Sequence, residues 1–511
     1  MTARQMDMTD SKRLSALLAD VAPVAADDDC AVFGLTTDSR RVRPGDVFFA
    51  CHGQQVAGHQ FIEDAVRYGA VAVIYETPAD HLPKLPVKIP VIAVDGLAGK
   101  IGIVAERFYQ HPSRDLFVVG VTGTNGKTST SHFIAHCLSK GVATPSGLIG
   151  TLGSGLYGNL NPGIHTTPDP VALHALLAEI RDAGAQDAVM EVSSHGLAQG
   201  RVNGVEFTVA VFTNLTRDHL DYHGDMMRYA AAKRRLFMWP TLKTAVVNMD
   251  DVESVALLPL IPPSARVIGY SLRTRNNTDS PRLLHLVGQI ERADAQGLQL
   301  NIEGDFGRGT LNSALIGRFN ASNLLAALAV LLSRGLSLDD ATARLNTVRP
   351  VPGRLENFGG KDKPLAVVDY AHTPDALEQV LLTLRPLCRG QLWCVFGCGG
   401  NRDRGKRPQM GAIAERYADH VILTDDNPRQ EDPTSITDEI LAGIHVKSRV
   451  QIIHHRAEAI AYAVGRAQRD DVVLIAGKGH EDYQEIKGQR RAFSDRVEVT
   501  ELLGAVESST P

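Results

Sequence analysis

The sequence predicts an α/β protein of three domains built on parallel sheets, and three observations carry that expectation. Length is the first: 511 residues, at about 100 to 200 residues per domain, make about three domains. Composition is the second: 44% hydrophobic and 22% charged residues are ordinary for a globular chain and leave enough apolar side chains for large cores. The third is order, since short apolar runs alternate with helix-period segments, the pattern of strand–helix–strand units. The blocks part at about Pro112 and Pro350, which predicts domains at 1–112, 113–350 and 351–511.

In the first block, Val71 to Tyr75 and Val91 to Val94 are short apolar strands among amphipathic helices. The stretch TTDSRRVRPGDVFFACHG, Thr36 to Gly53, contains Pro44-Gly45-Asp46, a turn signal that opens the strand Val47 to Ala50. By itself the polar loop carrying Ser39 and Arg40 assigns no chemistry.

The second block opens on LFVVGVTGTNGKTSTSHF, Leu116 to Phe133, the most informative stretch of the chain. Leu116 to Val121 read as a buried parallel strand, and from Ser129 onward Phe133, Ile134 and Cys137 fall at helical spacing. Gly123 and Gly126 therefore lie in the strand-to-helix turn. Without a Cβ they let the backbone of Gly123, Thr124, Asn125 and Gly126 approach a polyphosphate, while the helix start at Lys127, Thr128 and Ser129 adds partial positive charge. Lys127 would meet the outer phosphates of ATP, and the Thr128 hydroxyl a magnesium ion. The strict G-x-x-x-x-G-K-[ST] pattern needs glycine at the position of Val121; here the glycines stand at Gly120 and Gly123.

Two further strand-then-polar-loop units follow, AVMEVSSHGLAQGR and VAVFTNLTRDHLDYHGD. In an open parallel sheet, residues just beyond the strand C-terminal ends line the ligand crevice, which would gather Glu191, Ser193, His195, His219, Asp221 and His223. A lone histidine in such a place is more often a hydrogen-bonded core residue. In HGDMMRYAAAKRRLF, Asp225 caps a helix whose inner face is Tyr229, Ala232 and Phe237, and Lys233 reads as a solvated lysine in a basic run with Arg234 and Arg235. The polar, glycine-punctuated stretch from Thr274 to Asn312 predicts antiparallel hairpins. GRFNASNLLAALAVLLSRG predicts a helix with Asn320 and Asn323 near its start and Ala327, Leu328, Leu331 and Leu332 on its apolar face.

The third block again alternates strands with helices: LAVVDYAHTPDAL, QLWCVFGCGGNRDRGKRPQMG, HVILTDDNPR and DDVVLIAGKGHEDYQ, each strand ending in a polar loop. Gly397-Cys398-Gly399-Gly400 resembles a dinucleotide fingerprint, but the third glycine is due where Arg402 stands. The whole is thus a three-domain α/β chain with a central P-loop-type parallel-sheet ATPase domain and a Rossmann-like C-terminal domain.

A net charge of −5 argues against general nucleic-acid binding. The start, MTARQMDMTDSKRLSALLADVAP, has acidic residues and too short an apolar run for a signal peptide, and no later run reaches membrane-spanning length. A cytoplasmic monomer with small-molecule partners, without membrane insertion, is the expectation. The six cysteines show no CxxC spacing, and Cys388, Cys394 and Cys398 lack a matching histidine pattern for zinc, so they read as reduced, mostly buried thiols.

Taken in order, VTGTNGKTST, MEVSSHGL, TNLTRDHLDYHGD, the AAAK segment, GRFNASN, PGRLE, DYAHTPDAL and DNPR resemble the Mur ligases over essentially the whole chain. These are ATP-dependent amide-forming enzymes that build the peptide of bacterial cell-wall precursors, peptidoglycan. The resemblance implies that ATP phosphorylates the D-glutamate side chain of UDP-N-acetylmuramoyl-L-alanyl-D-glutamate, and that an amine of meso-diaminopimelate attacks the acyl phosphate. It implies Lys127, His219 and Lys233 as catalytic residues, one magnesium held by Thr128 and Glu191, and a second near His219. It also implies that Lys233 is carbamylated to N6-carboxylysine and so joins the metal ligands. Only a neutral amine reacts with carbon dioxide, so the site must depress the lysine pKa by burial or nearby cations.

ATP would further meet Asn320, Arg354 and Asp369. The UDP precursor would meet Thr37, Ser39, the segment Gln54, Gln55 and Val56, and His165, Thr166, Thr167, Ser193, Gln199 and Arg201. The added amino acid would be read by Asp426, Asn427, Pro428 and Arg429, with Arg402, Gly477 and Glu481. Diaminopimelate differs from lysine by a distal carboxylate, for which Arg429 offers a bidentate clamp, and Glu481 would hold the distal ammonium.

Folylpolyglutamate synthetase shares this fold and phosphate loop but has no reason to carry TTDSRRVRPGD or DNPR. A guanine-nucleotide switch would need an N/T-K-x-D sequence, which does not follow at a suitable place, and an NAD-dependent oxidoreductase would need the fingerprint that Arg402 breaks.

Overall fold

Strand follows helix along most of the chain in the computed structural model, which describes residues 11–52, 57–79, 82–163, 165–273 and 282–504. The described residues fall into two compact units, one within Met1–Gly120, Gly141–Thr208 and Trp239–Leu242, the other within Val121–Lys140, Val209–Met238 and Lys243–Pro511.

In the first unit, Gly34–Thr36, Asp46–Ala50, Ala72–Thr77 and Val91–Asp95 form a parallel four-stranded sheet in that order. The three predicted strands are present, each shifted at one or both ends by a residue or two. Successive side chains point to opposite faces, so Val47, Phe49, Ala72 and Ile74 enter one core with Ile101 and Val104, while Phe48, Ala50 and Val73 enter a second with Ile62 and Ala65. The same unit holds the strands Gly147–Gly150, Gly153–Leu156, Asn159–Asn161 and Asp187–Glu191. It also holds the helix Pro170–Asp182, which Asp169 caps by accepting from the Val171 and Ala172 amides.

In the second unit, Val209–Phe212, Thr244–Asn248, Arg266–Ser271 and Leu283–Asp294 run parallel. Gly297–Gly304 and Gly307–Ser313 then return antiparallel, the hairpins that alternation in this stretch predicts. The helix Arg318–Ser333 packs on the helix Lys127–Ser139, with Ala327, Leu328 and Leu331 inside.

The C-terminal part of this unit is a six-stranded sheet in the order Glu356–Gly359, Leu365–Asp369, Val472–Ala476, Leu392–Phe396, His420–Leu423 and Val450–Ile452, parallel except for the first strand. Leu392, Cys394 and Phe396 face one apolar layer; Trp393 and Val395 face the other. All six cysteines are free thiols, and Cys137, Cys388, Cys394 and Cys398 are buried. Among the described residues no helix is long and apolar enough to cross a membrane.

Candidate active site

The strand Phe117–Thr122 runs into the glycine turn, and the helix Lys127–Ser139 leaves it. Gly123 and Gly126 have φ of +153° and +84°. A Cβ on Gly123 would lie 1.8 Å from Thr213 Oγ1, and one on Gly126 2.5 Å from Asn323 Oδ1, so backbone conformation and space both require glycine. The loop is fixed by its neighbour: the Thr124 amide donates to Asn214 O (2.9 Å), the Asn125 amide to Asn214 Oδ1 (2.9 Å), and Thr213 Oγ1 to Asn125 O (2.7 Å). Asn125 Nδ2 also donates to Asp375 Oδ2 at 2.9 Å.

Two amines converge on one carbonyl. Gly123 O accepts from Lys127 Nζ at 2.9 Å and from Lys233 Nζ at 2.7 Å, and Lys127 also donates to Thr124 O at 2.8 Å. Lys233 is 3% exposed and lies 4.4 Å over the Tyr229 ring, which corrects its reading from the residues alone as a solvated lysine. The predicted Asp225 cap is present, accepting from the Arg228 amide, and Tyr229, Ala232 and Phe237 are buried. Packing of this face turns Lys233 inward as well. Burial, followed by the charge of Lys127, holds the Lys233 amine well below the ordinary lysine range, with Asp218 acting the other way.

His219 takes a left-handed backbone (φ +54°), and its Nε2 lies 3.3 Å from Asp218 Oδ2. Asp218 is buried, with His372 Nε2 at 3.6 Å and Lys406 Nζ at 3.7 Å. Burial opposes its ionisation, but Lys406 and the neighbouring His372 and His219 outweigh it and hold the carboxyl well below the usual range. Burial, then Lys233, lowers the His223 pKa. Arg217 makes a bidentate pair with Asp403, both bonds 2.9 Å.

Arg354 Nη2 reaches Thr128 Oγ1 at 3.4 Å, and its guanidinium stacks 4.4 Å over the Tyr370 ring. Asp369 is buried; Oδ2 accepts the Leu355 amide (2.8 Å) and Oδ1 the Ala371 amide (2.7 Å). In this arrangement Asp369 sets the turn that carries Arg354 and Tyr370. Asn320 donates to Ile316 O and accepts from Asn323, whose Oδ1 accepts from Thr130, so the pair of asparagines leads from the long helix to the phosphate loop.

Beyond the strand His420–Leu423, the turn Asp426–Arg429 is gathered with the other residues expected to read the amino acid. Arg429 (φ +54°) donates through Nη1 to Gly400 O at 2.8 Å and has Nε 3.4 Å from Glu485 Oε2. A Cβ on Gly477 would lie 2.5 Å from Asp426 Oδ2, one on Gly399 2.8 Å from Arg429 Nη1, and one on Gly400 1.9 Å from Pro428 O. The Gly399-Gly400 pair therefore exists to let this turn come close. Glu481 Oε2 accepts from Asn427 Nδ2 at 2.9 Å. Arg402 is half-exposed, 3.9 Å from Asp221.

In the first unit, Glu191 ends its strand 1% exposed. Its Oε1 accepts the Thr151 amide (2.8 Å) and Oε2 the Thr151 hydroxyl (3.2 Å), and that hydroxyl lies 3.0 Å from Thr166 Oγ1. Thr167 Oγ1 bonds Glu191 O and Ser193 Oγ, each at 3.0 Å, and Arg201 donates to Thr167 O and to Gln199 Oε1, each at 2.8 Å. His165 is exposed and His195 half-buried. Ser39 is buried at a short turn where Asp38 accepts from the Arg40 amide, and Thr37 is half-buried beside it. Gln54, Gln55 and Val56 lie outside the described residues.

Among the described residues no group of three or more His, Cys, Asp or Glu is placed to hold a metal ion. The Thr128 hydroxyl offers an oxygen of the kind a hard cation takes. The sequence reading gave no place to Asp218, Asp375, Lys406 or Lys478, nor to Tyr370, all of which make side-chain contacts near the residues above. Asp218 and Asp375 stand inside quoted motifs, but apart from His219 their partners, His372, Lys406 and Asn125, are remote in the chain, and no local pattern marks them.

Family models match three successive segments: the Mur ligase family catalytic domain over residues 32–109, the Mur ligase middle domain over 121–331, and the Mur ligase glutamate ligase domain over 353–479. The UDP-N-acetylmuramoyl-L-alanyl-D-glutamate–2,6-diaminopimelate ligase of Ectopseudomonas mendocina is 50% identical over 485 residues, 95% of this chain and 98% of its own. A solved structure of UDP-N-acetylmuramoyl-L-alanyl-D-glutamate–2,6-diaminopimelate ligase matches with TM-score 0.68 and 39% identity over 96% of this chain and 99% of that one. The MurF ligase of Thermotoga maritima in complex with ADP matches in fold, with TM-score 0.63 and 19% identity over 92% and 97% of the two chains.

Proposed function

Because this chain belongs to the Mur ligase family, with its three-part α/β architecture, we infer that it is the ATP-dependent ligase that adds meso-diaminopimelate to UDP-N-acetylmuramoyl-L-alanyl-D-glutamate. The observation that carries the reading is 50% identity to a ligase of that name across 95% of the chain. The product is a peptidoglycan precursor, made in the cytoplasm by a monomer. The domains are taken as 1–112 for the UDP precursor, 113–350 for ATP and 351–511 for the amino acid.

In the reaction, an oxygen of the D-glutamate side chain attacks the γ-phosphorus, the bond to the β-phosphate oxygen breaks, and ADP leaves. A neutral amine of diaminopimelate then attacks the acyl carbon of the mixed anhydride; phosphate departs, the nitrogen sheds a proton, and the amide remains. The protein's part is to position the groups and neutralise charge. The loop Gly123 to Ser129 would cradle the phosphates, and Lys127, drawn from the Gly123 and Thr124 carbonyls, would meet the transferring group. Arg354, beside Thr128, would approach the nucleotide with Asn320 and Asp369.

Magnesium, when bound, would screen phosphate charge; Thr128 and Glu191 would hold one ion, and His219 with carboxylated Lys233 a second. A buried Lys233 with a depressed pKa supports the carboxylation, in which its neutral amine adds to carbon dioxide and loses a proton. Thr37, Ser39, the 54–56 segment, His165, Thr166, Thr167, Ser193, Gln199 and Arg201 would hold the UDP precursor. The turn Asp426–Arg429, with Arg402, Gly477 and Glu481, would hold diaminopimelate.

The test is phosphate release by the purified protein with ATP, magnesium and the UDP precursor, with meso-diaminopimelate or L-lysine added in parallel. Strong stimulation by diaminopimelate alone is the expected outcome. Stimulation by lysine would overturn the specificity, and release indifferent to any amine would overturn the ligase.

A further inference from the structure

Lys478 has no part in the reading above, yet it is a fully buried charged group beside the Asp426–Arg429 turn. It sits in the segment after the strand Val472–Ala476 and is 0% exposed. Its Nζ donates to Glu481 Oε2 at 2.8 Å and to Asn427 Oδ1 at 3.2 Å. Asn427 Nδ2 closes the triangle on the same Glu481 oxygen at 2.9 Å, and Asn427 Oδ1 also accepts the Glu485 amide at 2.9 Å. A buried amine of this kind is tolerated only when paired and hydrogen-bonded, and here both partners are side chains of the amino-acid site.

Two consequences follow from the bonding capacities. Lys478 and the Glu485 amide are donors, so the Asn427 amide must turn its oxygen to them and its nitrogen to Glu481. Glu481 Oε2 is then held by two donors, while Oε1 has a long 3.5 Å contact with the Tyr370 hydroxyl and keeps capacity for a further cation. Without Lys478, Glu481 Oε2 would keep only the Asn427 Nδ2 donor and Asn427 Oδ1 only the Glu485 amide, so the carboxylate would lose its charged anchor.

We propose that Lys478 is a positioning residue for the added amino acid, holding Glu481 and Asn427 so that Glu481 Oε1 receives the distal ammonium of a diamino dicarboxylic acid. This rests on the reading that Glu481 and the Asp426–Arg429 turn bind that amino acid.

The test compares meso-diaminopimelate with 2-aminopimelate, which lacks one ammonium, in wild type and in Lys478→Met. The wild type should prefer the diamino acid. In the variant KM for diaminopimelate should rise roughly tenfold or more and the preference should shrink by a similar factor, while KM for ATP and for the UDP precursor moves less than about twofold. A merely structural role would move kcat and all three KM values together. Should the Met variant not fold, Lys478→Gln, a shorter neutral side chain without the charge toward Glu481, carries the same expectation. An unchanged preference in a folded variant, or failure of both variants to fold, overturns the proposal. Wild-type release that ignores amines would instead overturn the reading beneath it.

Discussion

At Lys233, burial and the neighbouring Lys127 charge together hold an amine well below the ordinary lysine value of 10.5. Between the folded value and 10.5 the unfolded chain binds more protons than the folded one, so stability rises with pH across that window and is lost as pH falls through it. Lys233→Met should therefore melt roughly 1 to 3 °C above wild type at neutral pH in carbonate-free buffer. The gain should narrow as pH approaches the ordinary lysine value; thermal unfolding at two pH values checks this, and a wild type more stable than the variant at neutral pH contradicts it. Turnover is expected to behave oppositely. Lys233→Ala should abolish it, with partial recovery on adding a short carboxylate such as acetate, and full activity of the unassisted variant would remove the carbamate role. The sequence shows the basic run, but Lys233 meets Gly123 O across 110 positions, and no local periodicity reports such a contact.

At the scale of elements, the glycine turn between strand and helix was legible because its geometry is local: strand, glycines, lysine and helix start lie within one short stretch. The Gly399-Gly400 pair was not. Its sequence resembles a dinucleotide fingerprint, whereas in the fold it makes room for Pro428 O and Arg429 Nη1 from the next strand's loop. Gly400→Ala should consequently push the Asp426–Arg429 turn away. Its KM for the amino acid is expected to rise roughly tenfold or more, with KM for ATP within about twofold of wild type; steady-state kinetics with each substrate varied decides, and equal effects on both would show a general loss of folding instead. The hairpin Tyr483–Ile486 and Gln489–Ala492 closes the same turn through the Arg429 amide, which donates to Glu485 O at 2.9 Å.

At the scale of the whole molecule, the six-stranded sheet has apolar layers on both faces whose buried residues lie between Leu355 and Leu503, with Ile316 and Phe319 packed on one of them. Such a part has the core of an independent domain. Residues 351–504 expressed alone should unfold cooperatively in denaturant, and a non-cooperative transition would contradict the proposed boundary at 350. Polar links within the second unit, Asn125 to Asp375 and Arg217 to Asp403, join loops of the central and C-terminal segments. Their loss should leave the isolated part folded.

What the sequence determined by itself was the α/β class and the strand, glycine turn and helix between Phe117 and Ser139, since glycine conformations and strand and helix periodicity are properties of neighbouring residues. What only the tertiary structure decided was the state of particular side chains: Lys233 buried beside Lys127, Asp218 ringed by His219, His372 and Lys406, and Lys478 locked between Glu481 and Asn427. Desolvation and charge depend on everything packed around a group, and most of those neighbours lie far away in the chain.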